Sequence, residues 1–350
     1  MALVWLRVYS RIMRIQEARN FLLTLSLRKV FNAVRLLGGF YWSRWTGRVR
    51  HPARPVSISI EPTTACNLGC PECPSGLKSF TRETGNLREN DMRRWLDEFL
   101  PELMYINFYF QGEPFINPAF LDMVSHASSR KVYTSTSTNA HFISPEVAER
   151  TVRSGLHRLI ISIDGTTQEV YEQYRVHGKL EKVLEGTRNI VEARRKLRSR
   201  TPYIIFQFLV VRPNEHQIGD VKKLAEEMGV DEVRYKTAQV YDYVNGNPLI
   251  PLDEKYSRYK RQQDGTYQVK NSLDNHCWRM WSSCVVTWDG KVVPCCFDKD
   301  ATHQLGDLSR KSFSEIWNGA DYLKFRRALM TSRKEIDICA NCSEGTKVWV

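Results

Sequence analysis

The 350-residue sequence has no long apolar run, no internal repeat and no strong compositional bias. Apolar residues make up 42% of the chain and charged residues 26%, which is ordinary for a globular protein and argues against disorder. The longest uncharged stretches near the start, such as residues 20–27, are too short to span a bilayer. Arg7, Arg11 and Arg14 interrupt the first apolar residues and no small-residue cleavage site follows, so we expect no cleavable signal peptide.

Acidic residues are almost absent from positions 1–50, where ten Arg or Lys accompany a single acid, Glu17. This segment carries +9 of the total charge of +12, and the remaining 300 residues hold 41 basic and 38 acidic side chains. The basicity therefore belongs to an N-terminal arm and not to the body of the protein. Because electrostatic binding to nucleic acid needs a basic face on the body, the charge map argues against nucleic acid as a partner.

The arm, residues 1–50, is expected to be helical and amphipathic, with its arginines at helical spacing and apolar residues on another face. One interpretation is peripheral contact with an anionic membrane surface, to which the arginines would be attracted. The other is that the helices pack against the body with their arginines facing water. The first interpretation places the following residues in the lipid interface: Trp5, Leu6, Val8, Ile12, Phe21, Leu22, Leu25, Tyr41, Trp42 and Trp45.

Apolar runs and amphipathic segments alternate from Val56 to about Lys236. The predicted strands are Val56–Ile60, Met104–Phe110, Val132–Ser137, Arg158–Ile163, Ile204–Val211 and Glu232–Tyr235. The helices predicted between them are Glu89–Phe99, Pro118–Ser129, Pro145–Ser154, Leu180–Leu197 and Glu215–Met228. Repeated βα units imply a parallel sheet, so we predict an α/β fold with a partial (βα)6 TIM-like barrel over residues 51–245.

Residues 246–350 are predicted to contain a linker and a small cysteine-rich α+β cluster domain. Gly246-Asn247-Pro248 and the polar residues up to about Asn271 are typical of a linker. Beyond it, a β-hairpin is predicted within Cys284–Val293, turning at Asp289-Gly290.

Cysteine is absent between Cys73 and Cys277, so the nine cysteines form an N-terminal and a C-terminal group. Disulfide frameworks are typical of small secreted chains, and this chain is long and lacks the pattern of a signal peptide. Reduced, metal-binding cysteines in a cytoplasmic protein are therefore the better interpretation.

The N-terminal group is the run Cys66-Asn67-Leu68-Gly69-Cys70-Pro71-Glu72-Cys73, which directly follows the first predicted strand. Loops after the strands form the active face of an α/β barrel. Three and then two residues separate the thiols, so one short loop can wrap a single cluster. Four irons normally take four thiolates, and three leave one iron open to a substrate or cofactor. The alternative is a zinc site completed by a remote His or Cys.

This cysteine loop after strand one resembles that of the radical S-adenosylmethionine (SAM) superfamily, and the resemblance covers roughly residues 55–240. It implies a 4Fe–4S cluster on Cys66, Cys70 and Cys73 that binds SAM. Reduction would then cleave SAM to a 5′-deoxyadenosyl radical that abstracts hydrogen from a substrate. One departure is Glu72, where the superfamily usually has an aromatic residue near the adenine.

Further matches to the superfamily fall at the ends of successive predicted strands. Gly112 and Glu113 end the second strand, where a carboxylate would pair with the methionine ammonium of SAM. Ser137 and Asn139 end the third, where the family places polar residues on the methionine and ribose. The resemblance assigns the remaining contacts to Ser162 and Asp164 at the fourth strand, to Arg175 as the partner of the methionine carboxylate, and to Leu209 beside the adenine.

The C-terminal cysteines resemble the SPASM/twitch extension found on many radical SAM enzymes. Four of them suit one auxiliary 4Fe–4S cluster, and tetrahedral zinc is the alternative. Cys284 and Cys296 are left over, and each is a packing thiol, a replacement ligand, or a hydrogen-atom donor to a substrate radical. The implied ligands are Cys277, Cys295, Cys339 and Cys342.

The main prediction is a radical SAM enzyme, an oxidoreductase or modifying enzyme, that abstracts hydrogen from an organic substrate for oxidation, epimerisation or another C–H modification. The arm is too short for the recognition domain of many peptide-modifying relatives, which favours a small-molecule, sugar or lipid-linked substrate. A peptide-modifying maturase is the alternative, and a non-catalytic zinc-stabilised nucleic-acid-binding protein is the alternative from another class. The enzyme would need a reducing partner such as flavodoxin or ferredoxin. We expect it in the cytoplasm, with peripheral contact to the inner membrane surface left open.

Overall fold

The computed structural model describes residues 15–346 and 348 of the chain. Within this part, no helix is long and apolar enough to cross a membrane. The predictions for the beginning of the arm lie outside the described residues, namely those for Trp5, Leu6, Val8, Ile12, Arg7, Arg11 and Arg14.

The rest of the arm forms two helices, α1 (residues 15–22) and α2 (Leu27–Thr46). The Ser26 side chain caps α2 at its start, and Gly47 ends it with a left-handed backbone at φ 69°. Phe40 is 2% exposed and packs edge-on against Trp281, with ring centroids 5.7 Å apart. The inner face of α2 therefore belongs to the packed body of the protein.

The body is built on one nine-stranded sheet. Six strands lie parallel in chain order: β1 (Ser57–Ile60), β2 (Tyr105–Asn107), β3 (Tyr133–Thr138), β4 (Arg158–Ser162), β5 (Tyr203–Val210) and β6 (Glu232–Thr237). Each coincides with a predicted strand to within a few residues at its ends. Six of the eight residues of β5 are buried, which is typical of a strand in a parallel sheet.

Helices connect these strands. They are α3 (Pro74–Leu77), α4 (Glu89–Leu96), α5 (Phe120–Ser129), α6 (Pro145–Arg153), α7 (Gln168–Tyr174), α8 (Leu180–Lys196) and α9 (Ile218–Glu227). Five of them, α4, α5, α6, α8 and α9, correspond to the predicted ones, whereas α3 and α7 were not predicted. The Ser144 hydroxyl accepts from the Val147 N–H at 3.2 Å and Pro145 occupies the first turn of α6, which is the cap that this sequence predicts. Parallel order carries the strand ends and their loops to one face.

The stretch predicted as a linker instead contains an antiparallel hairpin, β7 (Tyr259–Arg261) with β8 (Tyr267–Val269). Tyr259 is 2% exposed, and its hydroxyl accepts from the Val240 N–H at 2.8 Å and donates to the Val240 carbonyl at 2.9 Å. The buried, hydrogen-bonded Tyr259 thus attaches this segment to the body, although its polar composition is typical of a linker.

The C-terminal part extends the same sheet beyond β1. Its elements are α10 (Trp278–Ser282), β9 (Ser283–Val286), β10 (Lys291–Val293), β11 (Gly306–Asp307), α11 (Phe313–Trp317), α12 (Ala320–Ser332) and α13 (Asp337–Ala340). The predicted hairpin is confirmed, because β9 and β10 pair antiparallel around Asp289-Gly290. β9 also pairs parallel with β1, so the C-terminal part is joined to the edge of the same sheet.

Candidate functional site

The first cysteine group lies between β1 and α3, at the carboxyl ends of the parallel strands. Cys66 and Cys73 are half-buried and Cys70 is buried. The loop turns tightly, since the Cys73 N–H donates to the Cys70 carbonyl at 3.3 Å. The turn needs Gly76, because a Cβ at that position would lie 2.6 Å from the Cys70 nitrogen. The fold thus presents the three predicted thiols from one short loop.

Side chains from other strand ends contact each of these sulfurs. Each thiol has one polar side chain within hydrogen-bonding distance of its sulfur. Asn139 Nδ2 is 4.0 Å from Cys66 Sγ, Arg175 Nη1 is 3.7 Å from Cys70 Sγ, and Gln111 Oε1 is 3.8 Å from Cys73 Sγ. Two of the three are N–H donors, which stabilise a negatively charged sulfur. The donors come from predicted cofactor residues, and Gln111 is an addition.

The donor set of this loop fits an iron–sulfur cluster. Burial raises the pKa of Cys66 to about 12 and also raises the pKa of Cys70, which the Arg175 guanidinium opposes. Such thiols stay protonated until a cation replaces the proton, and iron supplies that charge. Three thiols with N–H donors around them fit a 4Fe–4S cluster that keeps one iron open. In the described part of the chain, no three His, Cys, Asp or Glu side chains are arranged to hold a single metal ion.

Glu113 joins the ends of β2 and β3 and is 2% exposed. Its Oε1 accepts from the Thr138 hydroxyl at 2.7 Å, and its Oε2 accepts from the Asn139 N–H at 2.7 Å. Burial raises the pKa of Glu113 to about 7, against the effect of these hydrogen bonds. Gly112 precedes Glu113 and has a left-handed φ of 73°. A Cβ at this position would lie 2.2 Å from the Thr63 carbonyl oxygen, so only glycine lets the chain pass this close to the cysteine loop.

Asp164 and Arg175 form a buried ion pair. Asp164 also accepts from the Leu209 N–H at 2.7 Å, so its carboxylate ties β4 to β5. The same guanidinium reaches the Cys70 sulfur at 3.7 Å. The structure therefore shows these two predicted cofactor residues contacting each other, and Asp164 acts as the residue that positions Arg175 against the cysteine loop.

The other predicted cofactor residues lie around the same loop. The Ser137 and Ser162 hydroxyl oxygens lie 3.5 Å apart across β3 and β4. Leu209 packs in the apolar cluster that includes the three loop cysteines. Glu72, which departs from the family pattern, accepts from the Tyr241 N–H at 2.9 Å and so ties the loop to the segment after β6.

Sequence reasoning missed several residues that shape this site. The Ser75 hydroxyl accepts from the Gly112 N–H at 2.9 Å and joins the cysteine loop to the end of β2. Gln111 precedes the predicted Gly112-Glu113 pair, and this adjacency was its only signal in the sequence. A cavity of about 480 Å³ opens beside the loop, lined by Thr63, Cys66, Ser75, Lys78 and Phe80 among others.

The C-terminal cysteines gather around Arg333, whose side chain is fully buried. Its Nη2 lies 3.5 Å from Cys342 Sγ and donates to the Glu344 carbonyl at 2.6 Å. Burial lowers the pKa of Arg333 and the nearby Cys277, Cys342 and Cys339 raise it, with a net increase. The sulfur of Cys277 lies 2.5 Å from the place of a Cβ on Gly345, so only glycine fits there. Arg333 is thus a buried cation among three predicted ligands, and no sequence pattern indicates this role.

Cys295 and Cys296 adjoin this group. Burial raises the pKa of Cys295, and the neighbouring thiols of Cys296, Cys277 and Cys342 raise it further. Cys296 packs partly against the apolar cluster of Phe110, Val285 and Val293. The structure therefore brings the four predicted auxiliary ligands together and places Cys296 beside them.

Cys284 lies elsewhere, on β9 in the main core, and is 1% exposed. Burial raises its pKa to about 12, and a hydrogen bond with the Tyr322 side chain opposes the shift. This position favours the packing role for Cys284 over that of a hydrogen-atom donor, because a substrate does not reach the core.

Comparisons with known proteins identify the family. A family model described as the radical SAM superfamily matches residues 60–233. The mycofactocin maturase MftC of Mycobacterium tuberculosis is 30% identical over 294 residues, which cover 77% of this chain and 72% of that protein. The chain belongs to the radical SAM superfamily. A model for SPASM, an iron–sulfur cluster-binding domain, matches residues 277–343 of this radical SAM protein.

Two other relatives match most of this radical SAM chain. The tungsten-containing aldehyde ferredoxin oxidoreductase cofactor-modifying protein of Pyrococcus furiosus is 25% identical over 314 residues, covering 82% of this chain and 86% of that protein. The PqqA peptide cyclase of Gluconobacter oxydans is 27% identical over 293 residues, with coverages of 76% and 77%.

The fold is shared with solved radical SAM structures. The Streptococcus suis protein SuiB bound to S-adenosylmethionine superposes with a TM-score of 0.62 at 12% identity, covering 88% of this chain and 76% of SuiB. The predicted α/β fold with a C-terminal SPASM domain is confirmed. The predicted cofactors are confirmed at the level of the family, since a radical SAM domain uses a 4Fe–4S cluster and SAM and a SPASM domain binds auxiliary iron–sulfur clusters.

Proposed function

We propose that this radical SAM enzyme modifies a C–H bond in a peptide, as a maturase of a peptide or of a peptide-derived cofactor. The support comes from relatives that cover about three quarters of the chain, one of them named a peptide cyclase and another a maturase. These names favour a peptide over the sugar or lipid-linked substrate that was the main expectation.

The observation that carries the radical SAM chemistry of the proposal is the convergence of residues from the ends of β2, β3 and β4 on the first cysteine loop. Glu113 and Asn139 reach it from β2 and β3, and Arg175, held by Asp164 from the end of β4, reaches the Cys70 sulfur. A structural metal site does not need buried carboxylates and cations from successive strands. An enzyme that must orient a charged cofactor does need them.

Cys66, Cys70 and Cys73 would hold the 4Fe–4S cluster, which together with SAM supplies the hydrogen-abstracting radical when both are bound. Arg175 would keep the electron-rich sulfur of Cys70 paired with a cation. Glu113 would hold the Asn139 backbone in place and offer its carboxylate to the cofactor ammonium. Gly112, Ser137, Ser162 and Leu209 would line the remaining cofactor surface. The auxiliary cluster would take Cys277, Cys295, Cys339 and Cys342.

A substrate-class experiment tests the peptide proposal. Reconstituted enzyme with dithionite and SAM is assayed for 5′-deoxyadenosine, alone and with a low-molecular-mass extract of the source cells. We expect the extract to stimulate formation above the uncoupled rate, and prior protease treatment of the extract to remove this stimulation. Cys66→Ala is the control for cleavage at this site. Stimulation that survives protease treatment would assign a small-molecule or lipid-linked substrate and overturn the proposal.

A further inference from the structure

The outer face of α2 is apolar although it faces solvent. Leu27, Phe31 and Val34, and then Tyr41 and Trp45, are separated by three, four or seven residues, which places them on one side of a helix. They are well exposed, from 38% for Tyr41 to 90% for Leu27, with Phe31 at 65% and Trp45 at 82%. This surface, called the α2 outer face, consists of Leu27, Val30, Phe31, Val34, Tyr41, Trp42 and Trp45.

The opposite face of α2 fixes the helix on the body. Leu36 and Phe40 are buried in it. The Asn32 side chain exchanges two hydrogen bonds of 3.0 Å with the backbone of Arg54, and the Ser43 hydroxyl accepts from the Arg50 N–H at 2.8 Å. Because these contacts hold the inner face, α2 does not turn to bury its outer residues. An exposed patch of this size is typical of an interaction surface.

Arginines border the α2 outer face on both sides. At about 100° per residue, Arg28 and Arg35 project on one flank and Arg44 on the other, and Arg48 follows the end of the helix. α2 contains no Asp or Glu. The single acid of the arm, Glu17, lies on α1 and is half-buried in ion pairs with Arg158 and Arg234. Arg28 is paired with Glu102 on the body. No acid of α2 is available to Arg35, Arg44 and Arg48, so the exposed charge around the apolar face is positive.

An apolar face bordered by arginines indicates which partner binds to the α2 outer face. A second copy of the chain would set arginine flanks against arginine flanks, with no acid in α2 to pair with them, and like charges at such positions are destabilising. Anionic headgroups complement both flanks at once. Tyr41, Trp42 and Trp45 cluster at one end, and Trp and Tyr favour the boundary between lipid and water. We propose that the α2 outer face docks this protein on an anionic membrane surface, with the helix lying in the interface.

Vesicle flotation of the full chain tests the proposal. We expect the protein to float with vesicles that contain phosphatidylglycerol, to float poorly with phosphatidylcholine alone, and to be released at high salt. Phe31→Gln with Trp45→Gln should weaken binding by about 100-fold or more, at roughly 1.5 kcal/mol or more for each of the two large side chains. The matched control is Val244→Gln with Leu252→Gln, which replaces two exposed apolar residues elsewhere and should float normally.

The charge contribution is tested separately by Arg44→Gln with Arg48→Gln, two exposed residues. Each near-surface charge is worth about 1 kcal/mol, so the pair should weaken binding by about 25-fold. Thermal unfolding should be unchanged in all variants, because every substituted side chain is exposed. Flotation that is absent, equal on neutral vesicles, or unaffected by Phe31→Gln with Trp45→Gln would overturn the proposal. A concentration-dependent dimer that the same variant abolishes would assign the face to a second copy instead.

Discussion

Replacing Glu113 by Gln tests how far one buried carboxylate organises the cofactor side of the active face. Its oxygens accept from the Thr138 hydroxyl, the Phe115 N–H and the Asn139 N–H, at 2.7, 3.3 and 2.7 Å. The glutamine amide keeps one acceptor oxygen but turns an NH2 group toward one of these donors. A buried donor then faces a donor, and the end of β3 loses its anchor.

The magnitude follows from two opposing effects. A buried donor left unsatisfied costs about 1–3 kcal/mol. Burial raises the pKa of Glu113 to about 7, so losing its charge near neutral pH recovers part of the desolvation cost. We expect a net loss of about 2 kcal/mol in the free energy of unfolding. If the same displacement reaches the cofactor, cleavage of SAM should slow by ten-fold or more, at about 1.4 kcal/mol per decade.

The assays are urea unfolding by circular dichroism and anaerobic formation of 5′-deoxyadenosine. Glu149→Gln is the matched control, since Glu149 lies on the surface of α6 and pairs with Arg153 and Lys196. It should change neither readout by much, as exposed ion pairs are worth little. A Glu113→Gln protein with normal stability and normal SAM cleavage would refute the role derived for this carboxylate.

Three further predictions concern the second cysteine group, the loss of stability at acid pH and a buried ion pair. Cys339→Ala with Cys342→Ala should lower iron and sulfide content and abolish product formation, while uncoupled SAM cleavage survives; zinc without sulfide in the wild-type protein would contradict this. Burial and the neighbouring Lys29 lower the pKa of His157 from 6.5 to about 4, so the unfolded chain binds its proton first. The free energy of unfolding should therefore fall below pH 6.5, by up to about 1.4 kcal/mol per pH unit, and His157→Gln should flatten this slope in urea titrations. Arg82→Met removes both guanidinium contacts to the buried Glu61, at 2.8 and 2.5 Å, and should cost about 3–5 kcal/mol, whereas adding Glu61→Gln should restore part of that loss.

The parallel sheet could be predicted because its strands carry their own signal. Segments such as Ile204–Val211 are apolar at nearly every position, which a strand covered on both faces requires, and caps such as Ser144-Pro145 mark the helices between. The carboxyl ends of parallel strands lie at the same edge of the sheet. Residues far apart in the chain, such as Cys66 and Asn139, could therefore be expected to meet there.

Tertiary contacts decide what the sequence did not show. Tyr259 lies in a polar stretch, and only the fold reveals that its hydroxyl exchanges hydrogen bonds with the backbone of Val240. Arg333 lies in a charged segment directly after α12, where a surface position would be expected, yet its side chain is buried against Cys342. The ion pair between Asp164 and Arg175 joins two residues that the family resemblance treats separately. Such roles depend on which partners are brought together, and no local periodicity encodes that.

The first cysteine loop is the central claim, and SAM cleavage tests it most directly. Cys66→Ala, Cys70→Ala and Cys73→Ala together should remove about one cluster of iron and all formation of 5′-deoxyadenosine, while circular dichroism stays near that of the wild type. The fold should persist because the apolar strands, and not this loop, form the core. Cys284→Ala, which removes a core thiol that is not a predicted ligand of either cluster, is the control and should retain cleavage. If the triple variant still produced 5′-deoxyadenosine, the assignment of this loop to the radical-forming cluster would be contradicted.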